Sequence, residues 1–393
     1  MKSILKSALL LFLISFYLVA CSQEKKTDVN QVIETFKTQY APDKRVALWD
    51  IQWDGKNLTG ETNLENPLTS FLTSLDSAGV EYQNQIKLLP DGELEGKEYA
   101  IVTISVGNIR SEPKHSAELA TQATMGTPLS VLKKQDTWYL IQTPEGYISW
   151  IDAAGIALMT EQEINAWYQK EKAVFTPLFG HVFASESEAE IVSDLVAGNI
   201  LIAQNEFQNH LEILLPDGRS GFVRKDQMMP YEEWLATRKT SPEKLIQTAK
   251  SMMGVPYLWG GTSVKGVDCS GFTKTIYFLN GEIIPRDASQ QVHEGEEIDV
   301  NKNWENLEVG DLLFFGSKAT ADSKERVVHV GMWIGNNSFI HSRGRVRISS
   351  FDPASPDYDE YELNRYLRTK RIIGKESKNI RNIEGLFESI PNS

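Results

Sequence analysis

The chain has 393 residues, a formal net charge of −13, 41% hydrophobic and 24% charged residues. That length allows about two to four domains with buried cores, and the composition is that of a globular protein, not a disordered one. The acidic balance and the lack of any basic run exclude nucleic acid as the main partner.

At the N-terminus, Lys2 and Lys6 precede an apolar stretch from Ala8 to Tyr17 that only Ser15 interrupts. A transmembrane anchor is the alternative reading, but the stretch is short for a span and closes on small residues, as a cleaved export signal does. Leu18-Val19-Ala20-Cys21 resembles the bacterial lipobox. That resemblance implies a signal peptide over 1–20, cleavage before Cys21 and acylation of Cys21. More than one acyl chain gives stable anchoring. The expected localisation is that of an exported lipoprotein, at the periplasmic face of an outer membrane or at the cell surface. Residues 21–97 then hold a polar tether and a small N-terminal cap. In it "VNQVIETFKTQY" and "LTSFLTSLDSAG" have helical spacing and "RVALWDIQWDG" reads as a strand. No chemistry attaches to the cap.

A repeat follows at a fixed offset. Ala117, Glu118, Gly126, Leu129, Ile141, Pro144 and Gly146 meet like residues 72 positions on, and Trp150-Ile151 meets Phe222-Val223. Short alternating strands and a shared Pro-acid-Gly turn predict two small barrels of about five or six strands. They resemble the bacterial SH3 domains of cell-wall proteins, "VGNIRSEP" (106–113) being similar to their usual opening. The first spans 98–156 and the second 173–232, with a helical connector, "TEQEINAWYQKEKA", between them.

The last module covers 240–375, ahead of a polar tail over 376–393. Its first helix, "TSPEKLIQTAKSMMG", has Thr240 or Ser241 as N-cap and Pro242 in the first turn. "GVDCSGF" (266–272) then opens a second helix, since Phe272, Ile276 and Leu279 keep helical spacing and Asn280-Gly281 ends it. Cys269 falls in the first turn. If Cys21 is acylated, Cys269 is the one thiol of the mature chain, and a lone thiol in an oxidising compartment is a liability. A buried inert cysteine is the bland alternative. The helix dipole and a nearby imidazole are expected to lower its pKa, its N–H to stabilise an oxyanion, and Gly271 to let a substrate approach. No metal-ligand cluster accompanies it.

"RVVHVGMWIGNNSFIHSRG" (326–344) supplies a base. If Trp333 faces Phe339 across the Gly-Asn-Asn turn, His341 lies opposite Gly331, and His329 and His341 share a face. A slip of one residue would separate them, and strand histidines are otherwise structural.

"YLWGGTSVKGVDCSGF", "IPRDASQQ", "LEVGDLLFF", "HVGMWIG" and "FIHS" together resemble the NlpC family of papain-like cell-wall peptidases. The implied fold class is α+β: a papain-like catalytic domain, two SH3-like β-barrels and a small α+β cap. The implied activity is cleavage of γ-D-glutamyl-diamino acid bonds in murein peptides with a free N-terminal L-alanine, and no cofactor is implied. By the resemblance, Cys269 is the nucleophile, His329 the base and His341 the orienting residue. Tyr257 serves the oxyanion hole, Trp259 walls the cleft, and Asp268 and Ser270 shape its loop. Asp287 binds the substrate ammonium, with Arg286 and Ser289 as helpers, although Asp287 and Arg286 fit a surface ion pair equally well. From the first SH3-like domain, Tyr147 and an acid, Glu112 first and Glu118 second, close the cleft. Rival readings are a hydrolase of the intact wall, a non-catalytic wall-binding lipoprotein, and an amidase or acyltransferase on the same fold.

Overall fold

A computed structural model of the protein describes residues 27–238 and 240–387. The signal segment and Cys21 lie outside the described residues. Among those described, no helix is long and apolar enough to cross a membrane.

The cap consists of α1 (Val29–Tyr40), β1 (Trp49–Trp53), β2 (Asn57–Thr62), α2 (Glu65–Ser77) and β3 (Gln83–Leu88). Asp28 caps α1 by accepting from the Asn30 and Gln31 N–H groups. The two helices bury Ile33, Phe71 and Leu75 against Trp49 and Leu58 of the three-stranded sheet. Between α1 and β1 a loop carries Asp43 and Arg45 outward.

The first repeat contains β4 (Tyr99–Val102), β5 (Val106–Arg110), β6 (Leu119–Thr124), β7 (Pro128–Gln135), β8 (Trp138–Gln142), β9 (Ile148–Asp152) and β10 (Ile156–Met159). Helix α3 (Glu161–Tyr168), closed by a Thr160–Glu163 capping box, leads to the second repeat. This holds β11 (Lys172–Phe175), β12 (Phe179–Phe183), β13 (Ile191–Val196), β14 (Ile200–Glu206), β15 (His210–Leu214), β16 (Ser220–Arg224) and β17 (Met228–Pro230). The sheet orders are β10-β4-β7-β8-β9-β5-β6 and β17-β11-β14-β15-β16-β12-β13, the same arrangement twice. Gly126 and Gly198 share a left-handed φ of +86° and +84°, and Gly146 and Gly218 one of +90° and +88°. The duplicated sequence therefore encodes duplicated turns. Each unit has seven strands, not five or six. Neither closes into a barrel, because the two outermost strands of each sheet are not paired with one another.

Helix α4 (Tyr231–Thr237) joins the second repeat to the last module. There α5 (Pro242–Ser251) takes Ser241 as its N-cap, and Thr240 instead donates to the Asn280 carbonyl. The short pair β18 (Thr262–Ser263) and β19 (Gly266–Val267) leads into α6 (Cys269–Leu279), β20 (Glu282–Ile283) and α7 (Ala288–Gln291). Then come β21 (Glu296–Asp299), β22 (Leu312–Ser317), β23 (Arg326–Gly335), β24 (Ser338–Arg343), β25 (Arg345–Ser350), α8 (Glu360–Arg365) and β26 (Tyr366–Arg371). The six strands form one antiparallel sheet, ordered β21-β26-β22-β23-β24-β25. Phe272 and Ile276 of α6 pack on Phe314, Val330 and Ile340 of that sheet, which fixes the helix start against β23.

The described part of the polar tail is anchored. β27 (Arg381–Asn382) pairs with β20. Ile383 and Leu386 are buried with Val174 and Ile200 of the second repeat and Trp234 of α4. Two apolar side chains spaced three apart seal the seam between the modules, a pattern that the surrounding polar residues mask in the sequence.

Candidate active site

Cys269 opens α6. Its neighbour Asp268 is the N-cap, accepting from the Gly271 N–H at 2.7 Å through Oδ1 and from the Gly260 N–H at 2.9 Å through Oδ2. Arg286 grips the same carboxylate with two bonds, Nη1 to Oδ1 at 3.1 Å and Nη2 to Oδ2 at 2.6 Å. It also donates to Ser270 Oγ at 3.0 Å and to Thr121 Oγ1 of the first repeat at 3.1 Å. Arg286 is 1% exposed and Asp268 6%. This is a buried clamp on the loop before the cysteine and not a surface pair, and Asp287 lies 3.9 Å from Arg286 at the margin of it. Ser270 is buried within the clamp. Gly271 serves packing. A Cβ there would meet the Gly261 carbonyl oxygen at 1.9 Å, so only glycine lets the α6 start lie on that loop.

The hairpin has the expected register. Trp333 faces Phe339, Asn336 and Asn337 take left-handed φ in the turn, and a Cβ built on Gly331 would lie 3.2 Å from that of His341. In consequence His329 and His341 share a face, with Nε2 of His329 and Nδ1 of His341 2.7 Å apart. His341 Nε2 in turn lies 3.0 Å from Ser349 Oγ on β25. The next residue after His329 faces the nucleophile, since the Val330 backbone, like that of Ser270, acts to lower the Cys269 thiol.

Electrostatics here differ from the expectation of a thiolate. Burial, and then the charge of Asp268, push the Cys269 thiol up to about 12, against the weaker pull of the Val330 backbone, Arg286 and the Ser270 backbone. Burial also holds His329 well below its ordinary range, helped by His341 and Arg365. His341 falls to about 3 through burial and the charges of Arg347 and Arg343. The resting site is a neutral thiol beside two neutral imidazoles. Desolvation of the buried thiol outweighs the helix dipole, which is worth about 2 kcal/mol at most. Tyr257 is half-buried, and burial together with the charges of Cys269 and Asp268 raises its hydroxyl, which stays a donor.

The first repeat forms a wall of the cleft. Gln122 of β6 exchanges hydrogen bonds with Thr262, and a Cβ on Gly260 would strike the Leu119 carbonyl at 2.0 Å. Trp259 stands 62% exposed, its indole N–H donating to Glu118 Oε1 at 2.5 Å. Of the two glutamates expected there, Glu118 is the one that meets the catalytic module, while Glu145 of the same repeat pairs with Lys274 of α6 at 3.1 Å. Glu112 turns away to Lys114 at 2.6 Å, with its side chain 61% exposed. Tyr147 is buried, and burial together with the charge of Asp287, which caps α7, raises its hydroxyl.

Sequence reasoning missed one participant. Arg45 of the cap donates to Asp287 Oδ2 at 2.7 Å and to Ser289 Oγ at 3.0 Å, while Asp43 holds its Nε and Nη2 at 2.8 and 2.7 Å. Gln290 closes the group by donating to Asp43 at 2.8 Å. The arginine and Asp287 are 242 residues apart, and nothing in the cap's local pattern singles out Arg45.

A cysteine at a helix start and two paired histidines on a hairpin packed against that helix are the groups a cysteine hydrolase uses. Residues 254–368 match the NlpC/P60 family and residues 105–157 the bacterial SH3 domain. A gamma-D-glutamyl-L-lysine dipeptidyl-peptidase of Bacillus cereus is 33% identical over 261 residues, 64% of this chain and 76% of its own length. Dipeptidyl-peptidase 6 of Lysinibacillus sphaericus is 29% identical over 272 residues, 66% of this chain and 94% of its own. The crystal structure of an NlpC/P60 family protein from Bacillus cereus superposes with a TM-score of 0.60 at 25% identity, covering 70% of this chain and 99% of that one. An NlpC/P60 endopeptidase from Photobacterium damselae shares the fold over 91% of this chain and 92% of its own, with a TM-score of 0.51 at 15% identity. The chain belongs to the NlpC/P60 family of cysteine peptidases, and it carries bacterial SH3-like modules ahead of its catalytic domain.

Proposed function

We propose that this protein hydrolyses the γ-D-glutamyl-diamino acid bond of murein peptides that begin with a free L-alanine. The observation that carries the reading is the His329–His341 pair at 2.7 Å, with His329 on the strand whose next residue, Val330, holds the Cys269 thiol down through its backbone. His329 takes the thiol proton as the sulfur attacks the D-glutamyl Cδ. The oxyanion forms near the start of α6 and the Tyr257 hydroxyl. Collapse breaks the C–N bond, and His329 returns the proton to the departing diamino acid nitrogen. Water then attacks the thioester, giving its proton to His329, and the carboxylate leaves as the thiol re-forms.

Asp287 and Tyr147 receive the substrate ammonium. In the free protein Arg45 fills that place, and Asp43, already holding it through two bonds, retains the guanidinium when the ammonium arrives. The same arginine favours a second reading, cleavage within intact peptidoglycan. An Asp287 already paired by Arg45 is not left uncompensated by a blocked alanine, and its side chain is 27% exposed. Mass spectrometry of products from L-Ala-γ-D-Glu-diaminopimelate, free and N-acetylated, separates the two. The first reading predicts that acetylation lowers kcat/KM at least about tenfold, ~1.4 kcal/mol. Equal cleavage supports the second.

The site is placed at a membrane surface by acylation of Cys21, with the protein exported as a lipoprotein. Radiolabelled palmitate entering the wild type and not Cys21→Ala is the expected result. Equal labelling of both would remove the anchor.

A further inference from the structure

Behind the paired histidines the hydrogen bonds continue in one direction. Ser349 Oγ lies 3.0 Å from His341 Nε2 and 3.0 Å from Asp359 Oδ2. Arg347 Nη2 donates to both Ser349 Oγ, at 3.2 Å, and Asp359 Oδ2, at 3.1 Å. Ser349 and His341 are fully buried and Asp359 is 6% exposed. No catalytic step described above uses Ser349 or Asp359.

The polarity of the chain follows from what each group can do. A carboxylate paired with arginine only accepts, and a guanidinium only donates. Ser349 must therefore give its one proton to Asp359, and it accepts from Arg347 and from His341. His341 then carries its proton on Nε2, which leaves Nδ1 as an acceptor. Across the 2.7 Å contact His329 must donate from Nε2. Its Nδ1 is left with a lone pair, the state a base needs to take the thiol proton. The opposite polarity would put a proton on Nδ1 of His329 and disable it.

We propose that Asp359, acting through Ser349 and His341, fixes which nitrogen of His329 is protonated and is a positioning residue for the nucleophile's base. The inference rests on the reading of His329 as that base. Charged groups also face the pair from neighbouring elements. Glu362 of α8 stands 4.0 Å from His329 Nε2, and Arg343 reaches Asp359 and Glu362 at 3.5 and 3.6 Å. An acceptor such as Glu362 beside Nε2 favours the same tautomer.

Asp359 also caps α8, accepting from the Glu362 N–H through Oδ1 at 3.1 Å. Asp359→Asn separates the two roles. Asparagine caps a helix as well as aspartate does, and the capping bond holds its carbonyl oxygen toward Glu362. Its amide then donates toward Ser349 and reverses the chain. The variant should keep its Tm within about 3 °C and KM within about threefold, and lose at least about a hundredfold in kcat; a wrong tautomer in an aspartate-oriented triad costs about 10⁴. Ser349→Ala, which cuts the chain without reversing it, should lose about tenfold. Nitrogen-15 spectra of histidine-labelled Cys269→Ala protein, assigned with His329→Gln and His341→Gln, should show both rings protonated at Nε2, moving to Nδ1 in the added presence of Asp359→Asn. Those spectra do not depend on turnover, so they separate failure of this inference from failure of the proposed reaction. Unchanged tautomers, or a kcat in folded Asp359→Asn within about threefold of wild type, would overturn it. If Asp359→Asn unfolds, full activity of Ser349→Ala does the same.

Discussion

Arg45 of the cap and Asp287 at the start of α7 form an ion pair at 2.7 Å at the edge of the cleft. If Asp287 receives the substrate ammonium as proposed, the guanidinium stands in its place and the two cations compete for one carboxylate. Arg45→Ala should lower KM for peptides with a free L-alanine about tenfold, leave kcat nearly unchanged, and leave N-acetylated peptides unaffected. Steady-state kinetics on the two substrates measure it. A rise in KM for the free peptide would mean that Arg45 binds substrate instead of competing with it.

The Arg286–Asp268 clamp is predicted to be the costliest single contact to break near the site. Arg286→Met leaves a buried carboxylate without its partner, which costs about 3–5 kcal/mol. For a unit of this size that is a Tm loss of about 6 °C or more, read by calorimetry. A change below about 2 °C would show that Asp268 is compensated elsewhere.

Cys269 gives a pH prediction. A thiol raised to about 12 by burial and Asp268 is protonated throughout the working range. Only the thiolate is alkylated, so inactivation by iodoacetamide should climb about tenfold per pH unit from 6 to 9. A rate that levels off below pH 7 would instead report a thiolate already formed in the resting site.

Acid should weaken the fold through the two histidines. Both have folded-state values depressed by burial, His341 to about 3, while the unfolded chain titrates near 6.5. Below about 6.5 the unfolded state binds more protons, so stability present above that pH is lost as pH falls toward 3, by up to about 1.4 kcal/mol per pH unit per histidine. His341→Gln should flatten the decline of Tm between pH 6.5 and 4. An unchanged slope would place the acid sensitivity in other groups.

What could be read in the sequence follows from how local its causes are. The helix that starts at Cys269 is written in the spacing of Phe272, Ile276 and Leu279. The histidine pair follows from one register, Trp333 against Phe339, set by the Asn-Asn turn. The 72-residue repeat carries its own turns in Gly126 and Gly146. Contacts between distant segments leave no such periodic trace. Arg45 meeting Asp287, Glu118 and not Glu112 reaching Trp259, Gly271 pressed on Gly261, and Ile383 and Leu386 sealing the modules are of this kind. The thiol's raised pKa belongs with them, because enclosure is a property of the assembled cleft and the helix dipole alone is visible in the sequence.

Rapid-quench mass spectrometry of the protein during turnover of L-Ala-γ-D-Glu-diaminopimelate tests the central claim most directly. The account predicts a transient adduct with the mass of an L-Ala-D-Glu acyl group on the peptide that contains Cys269, absent from Cys269→Ala, which should release no diaminopimelate. Continued release of diaminopimelate by purified Cys269→Ala, or an adduct carried on another residue, would contradict it.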